Sequence, residues 1–140
     1  MTWRIRPFEA TDRDAVVRLW QRCGLTRPWN DPGRDIDRKL TVQRELFVVG
    51  EVDGVVVASV MAGFDGHRGW LNYLAVDPDH RGRGHGRALV EHVERALEAL
   101  GCPKVNLQVR TGNAEALAFY AALGYGTDDV VSLGKRLAAD

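Results

Sequence analysis

Three glycines at alternate positions, Gly82, Gly84 and Gly86, are interleaved and flanked by Arg81, Arg83 and Arg87. Glycine lets another group approach the backbone closely, and the arginine fork matches phosphate oxygens. Before these residues runs Leu71-Asn72-Tyr73-Leu74-Ala75-Val76, nearly all apolar or aromatic, which predicts a strand covered on both faces. Asp77-Pro78 ends it, because proline offers no ladder donor. After them Leu89, Val93, Ala96, Leu97 and Leu100 make one helical stripe, with Gly101 as its C-terminal cap. The glycines therefore sit at a helix N-terminus, where the first amides lack intrahelical acceptors and the dipole is positive. A phosphate or pyrophosphate is the ligand such a loop suits. A P-loop would need Gly-Lys followed by Ser or Thr, which is absent. A dinucleotide fingerprint would put its third glycine at Arg87 and follow an early strand, so both nucleotide patterns fail.

The string Arg81-Gly82-Arg83-Gly84-His85-Gly86 resembles the acetyl-CoA signature Gln/Arg-x-x-Gly-x-Gly/Ala of the GNAT N-acetyltransferases. A second motif of that family, Asn-x-x-Ala-x-x-Phe-Tyr-x-x-x-Gly-Phe/Tyr, is matched by Asn113 to Tyr125, in the right order and at suitable spacing. Arg27-Pro28-Trp29-Asn30-Asp31-Pro32 and Gly66-His67-Arg68-Gly69 resemble marks of a small bacterial subgroup. The resemblance implies that the loop from Arg81 to Arg87, His85 included, holds the pyrophosphate of acetyl-CoA. It implies that Leu74, Ala75 and Val76 flank the cofactor, an amide near Ala75 or Val76 polarising the thioester carbonyl. Asn113 would contact the pantetheine or phosphate arm, and Tyr120 would hydrogen-bond the CoA sulfur as the catalytic residue. No metal is expected, since His80, His85 and His92 show no i, i+4 pair with a third partner.

Acyl transfer to an amine needs a neutral nucleophile, a polarised carbonyl and a proton for the departing thiolate. The phenol of Tyr120, with an ordinary pKa of about 10 against about 8.5 for a thiol, suits hydrogen-bonding the thiolate better than full proton transfer. For the general base, Asp65, His67 and Tyr73 stay open. Gln108 stands where some members that acetylate protein N-termini carry a glutamate; an amide cannot act as a base, which weakens a ribosomal-protein reading. Trp29, Asn30 and Asp31 are candidates for the acceptor site, because their connector falls where the family's first two helices cover it. The acceptor is a primary amine of a small molecule or a protein. A non-catalytic acyl-CoA-binding module is the alternative, and retention of Tyr120 favours the enzyme.

These groups must be positioned by a predicted order β-α-α-β-β-β-α-β-α-β, a mixed, mostly antiparallel sheet with helices on both faces. Trp3 to Phe8 alternates as a first strand, and Thr11 is the expected cap of a helix that buries Val16, Leu19 and Trp20 and stops near Gly24. A shorter helix is expected from about Asp35 to Arg44, after a Pro/Gly-rich connector from Arg27 to Arg34. Leu46 to Val52 and Val55 to Phe64 form a hairpin at Asp53-Gly54. Lys104 to Val109 is a further strand, Asn113 caps a fourth helix, and Val130 to Leu137 closes as a strand.

The 140 residues, 45% hydrophobic, fit a single domain over 1-140. Lys plus Arg equals Asp plus Glu, 19 each, so nothing favours nucleic acid or a membrane surface as partner. Two cysteines are too few for a disulfide framework and indicate a cytoplasmic protein. No stretch reaches the roughly 20 apolar residues that span a bilayer. The expected partners are acetyl-CoA and the amine, and a homodimer is compatible with the composition.

Overall fold

A computed structural model describes residues 1–140. The internal contacts divide the chain into two units, Met1–Leu107 with Asp140, and Gln108–Ala139. The first carries a five-stranded sheet in sequence order: β1 (Trp3–Pro7), β2 (Phe47–Val52), β3 (Val55–Phe64), β4 (Gly69–Val76) and β5 (Val105–Leu107). All neighbours are antiparallel except β4 and β5, which are parallel and pair only from Gly69 to Leu71. Asp53 and Gly54 both take left-handed φ, 50° and 81°, the conformation of a two-residue turn that matches strand twist.

The helices of this unit are α1 (Arg13–Arg22), α2 (Pro32–Lys39) and α3 (His85–Ala99). Alternation along the strands sends Phe47, Val49 and Met61 to one face, where they cluster with Val16, Leu19, Trp20 and Ile36 of α1 and α2. Residues of the other parity, including Val48, Val60 and Leu71, are buried as well, and the buried stripe of α3 is Leu89, Val90, Val93 and Leu97. The sheet is thus covered on both faces, as the apolar runs predict. Arg6 ties β1 to the chain before α1: its guanidinium meets both Asp12 oxygens at 2.7 and 2.9 Å and Glu51 at 3.0 Å.

In the second unit, α4 (Ala114–Ala122) starts at Asn113, whose Oδ1 accepts from the Ala116 amide at 3.0 Å, as the sequence predicts. Four elements differ from expectation. The residue capping α1 is Asp12, because Glu9 to Asp12 first makes a one-turn 3-10 helix that displaces Thr11. The second helix runs from Pro32 to Lys39, not from Asp35 to Arg44: the Asp31 carboxylate accepts from the Gly33 and Arg34 amides, Pro32 is preset for a first helical position, and Arg44–Leu46 is a separate 3-10 turn. β5 is three residues rather than six. Val130 to Leu137 forms no strand: alternation supplies only a face, and this segment pairs with no neighbouring ladder, leaving Val130, Val131, Leu133 and Leu137 exposed.

Candidate active site

The glycine loop does what its residue types require. Gly82 and Gly84 sit at φ 77° and 81°, where an L side chain is strained, and Gly84 is the N-cap of α3. The first intrahelical bond runs from the Ala88 amide to the Gly84 carbonyl at 3.0 Å, so the amides of His85, Gly86 and Arg87 have no intrahelical acceptor. No acidic side chain lies in the first turn of α3. His85 is buried and stacked on Trp3, ring centroids 4.0 Å apart, and its Nε2 has no hydrogen-bond partner. Burial, then the neighbouring His80 and Arg83, push its pKa below the ordinary range. Trp3 in turn lies over Gly50, where a Cβ would fall 2.1 Å from the indole. The arginines are partly engaged: Arg81 Nε donates to the Val76 carbonyl at 3.1 Å, and Arg87 pairs with Glu91 at 2.9 Å. Arg83 Nη1 lies 3.5 Å from the Met1 sulfur, so an anion here would be held chiefly by backbone amides and the helix dipole.

The strand leading into the loop is kinked. Between the pairs Met61↔Asn72 and Ser59↔Ala75, β4 has two residues opposite the single Val60 of β3, and Tyr73 takes φ 53°. A buried chain backs this bulge: Trp20 Nε1 donates to Ser59 Oγ at 2.9 Å, and Ser59 Oγ donates to the Tyr73 carbonyl at 3.0 Å. The Trp20 ring also stacks on the Tyr73 ring, centroids 3.8 Å apart. Past Leu71 the β4 edge facing β5 has no ladder partner. The Asp77 amide bonds to Val57 of β3, so by alternation the peptide groups of Leu74 and Val76 turn to the open edge, whereas that of Ala75, which the sequence reading also offered as the carbonyl donor, turns to β3 opposite Ser59. The Val76 carbonyl accordingly takes Cys23 Sγ and Arg81 instead of a strand.

Beside the bulge lies a cavity of about 450 Å³, polar along Asp35, Arg38, Lys39, Asn72 and Tyr73 and apolar along Val42 and Met61. Tyr73 donates its phenol proton to Asp35 Oδ2 at 2.7 Å, and Asn30 Nδ2 donates to the same oxygen. Burial and the Asp35 carboxylate raise the Tyr73 pKa, so the phenol stays a donor. Arg38 meets Asp35 at 3.2 Å and grips the Asp140 carboxylate through two nitrogens, at 3.1 and 2.5 Å. Lys39 Nζ donates to the Ala62 carbonyl, and burial lowers its pKa.

In the second unit Tyr120 is half-buried, its ring edge-on to Phe119 and Tyr125, and burial pushes its pKa up to about 12. Gln108 also lies there and donates to Ser132 Oγ.

Of the acceptor candidates read from sequence, the fold brings Asn30 and Tyr73 together. Trp29 is 56% exposed, and Asp31 is spent on capping α2. Asp65 and His67 sit in the exposed β3–β4 turn. The Asp65 carboxylate accepts from the His67 and Arg68 amides and from Trp70 Nε1; these bonds lower its pKa and make it a poor base. Asp35, Arg38 and the Trp20–Ser59 pair were not singled out by sequence reasoning. The charges look like an ordinary solvated helix face, and the pair is joined only by folding.

Comparisons with known proteins agree with this architecture. The acetyltransferase (GNAT) family profile matches residues 10–125. An acetyltransferase of Yersinia pestis is 52% identical over 136 residues, 97% of this chain and 96% of that relative. Among solved structures, Ard1 from Thermoplasma volcanium has a TM-score of 0.80 at 29% identity, covering 89% of this chain and 82% of that one. The ribosomal-protein-S18-alanine N-acetyltransferase from Escherichia coli has a TM-score of 0.72 at 30% identity, covering 88% and 77%. With motif, fold and near full-length relatives in agreement, the chain belongs to the GNAT family and is an N-acetyltransferase.

Proposed function

We propose that residues 1–140 act as one domain that passes an acetyl group from acetyl-CoA to a primary amine of a small molecule or a protein, by direct attack within a ternary complex. A family match that runs from residue 10 to residue 125 supports treating both units as one domain. When bound, acetyl-CoA supplies a thioester-activated acetyl group and a pyrophosphate that needs a positive seat. The left-handed Gly82 and Gly84, opening onto the unpaired amides of His85, Gly86 and Arg87, carry this reading. They offer donors at a positive dipole end and no acidic group to oppose an anion.

The chain's own groups divide the remaining work. The Val76 or Leu74 amide, on the open edge of β4, is the donor for the thioester carbonyl, and the bulge at Tyr73 fixes its direction. The Tyr120 phenol, with its pKa near 12, keeps its proton at neutral pH and serves as a hydrogen-bond donor to developing thiolate charge. Asn113 is committed to its helix cap through Oδ1 and leaves its amide nitrogen for the cofactor arm. One carbon–nitrogen bond replaces one carbon–sulfur bond, and one proton passes from the amine to the departing thiol. Both cysteines, Cys23 and Cys102, are free thiols, which suits work in a reducing cytosol.

The test is thiol release from acetyl-CoA across a panel of small amines and peptide amines, with Tyr120→Phe beside the wild type. The expected result is release above background with at least one amine, lowered on the order of tenfold or more in Tyr120→Phe while acetyl-CoA affinity is kept. Background release with every amine would overturn the reading.

A further inference from the structure

The cavity beside Tyr73 has two poles of opposite charge, held close together. On one side the Asp35 carboxylate is fixed by Tyr73 and Asn30. On the other, Arg38 Nη1 lies 3.2 Å from Asp35 Oδ1 and the same guanidinium holds the Asp140 carboxylate at two points. Arg34 adds a second positive group 3.9 Å from Asp140, and the Asp140 side chain is only 1% exposed. The field of this carboxylate reaches the Tyr73 hydroxyl. The seat is therefore shaped for a carboxylate: a bidentate guanidinium with a second arginine beside it. Without Asp140, the two Arg38 nitrogens that now donate to it would be left to take another carboxylate.

We propose that the acceptor is an amine bearing a carboxylate on the same or the adjacent carbon, as in a free amino acid. Asp35 faces the amine, and Arg38, flanked by Arg34, takes the carboxylate in the seat that the Asp140 side chain fills in this structure. This rests on the acetyl-transfer reading above and narrows its substrate class. The close approach of the two poles demands adjacent amine and carboxylate, which a peptide N-terminus lacks. The apolar wall of Val42 and Met61 suits an aliphatic side chain on the acceptor. Asp140 is then an internal competitor: it screens the two arginines until an acceptor carboxylate displaces it.

The probes are the common L-amino acids, the carboxamides of those that bind, and dipeptides with the same N-terminal residue. Binding is read by calorimetry with CoA present, so that no turnover is needed, and thiol release from acetyl-CoA is compared per free-base amine. The expected result is at least one amino acid favoured about tenfold or more over its carboxamide and its dipeptide, the loss expected when a bidentate carboxylate–arginine contact is removed. Arg38→Ala should abolish that preference and Arg38→Lys restore part of it. Asp140→Asn, with Asp140→Ala as a second variant, should tighten binding of the free amino acid by several fold. Equal binding of acid, amide and dipeptide overturns the proposal, as does an Arg38→Ala loss of the same size for all three or the failure of every amino acid to bind. Discriminating binding with no thiol release from any amine would sustain the carboxylate seat while refuting acetyl transfer.

Discussion

Replacing Ser59 by alanine removes a buried hydroxyl that accepts from Trp20 Nε1 at 2.9 Å and donates to the Tyr73 carbonyl at 3.0 Å. Ser59 and Trp20 are both 0% exposed, and the bond to the half-buried Tyr73 carbonyl is part-buried. Each buried polar group left without its partner costs about 1–3 kcal/mol, and two are left, which puts the loss of stability near 3 kcal/mol. For a domain of this size a urea slope of about 1.5 kcal/mol/M turns that into a midpoint lower by roughly 2 M, with the slope unchanged. In a Trp20→Phe background the indole donor is already gone, so Ser59→Ala should then cost about 1–2 kcal/mol less, the difference reporting their coupling. Urea unfolding of the four proteins in the cycle provides both quantities. A Ser59→Ala cost below about 0.5 kcal/mol, or no coupling to Trp20, would show that this chain does not hold the left-handed Tyr73 in place.

Gly50→Ala places a Cβ 2.1 Å from the Trp3 indole and should cost about 1–3 kcal/mol as Trp3 lifts from His85, seen as a lower melting temperature; an unchanged one would contradict the stacking. His85 and His92 have pKa values lowered chiefly by burial, so the unfolded chain binds more protons below about pH 6.5. Stability should be complete above that pH and fall as pH drops through it. The decline should be smaller in His85→Gln, and a wild-type melting temperature unchanged from pH 7 to 5.5 would refute it. Asp12, held below the usual carboxylate range mainly by Arg6, stabilises above about pH 3.9 and loses that contribution only under stronger acid, so Asp12→Asn should flatten the lower limb of the same profile.

The parts of the fold legible in the sequence were those with a local signal. Asp53-Gly54 sets its own turn, the stripe from Leu89 to Leu97 lies on one face of α3, and the glycines of the loop declare their left-handed turns. The start of α2 was hidden because its signal is only Asp31-Pro32, inside a stretch that reads as connector. Val130 to Leu137 carries a strand's alternation, but a ladder needs a partner and β5 is three residues long. The bulge at Tyr73 depends on Trp20 and Ser59, 39 positions apart, and no spacing rule joins them. Likewise Asp35 and Arg38 look like surface charges until Tyr73, Asn30 and Asp140 are brought to them.

The donor site is tested most directly by titrating acetyl-CoA into the isotope-labelled protein and following backbone amides by NMR. The largest shifts are expected at Gly82, Gly84, His85, Gly86 and Arg87, saturating together as thiol release saturates. Saturable binding that leaves those amides unmoved would contradict the placement of the pyrophosphate at the start of α3.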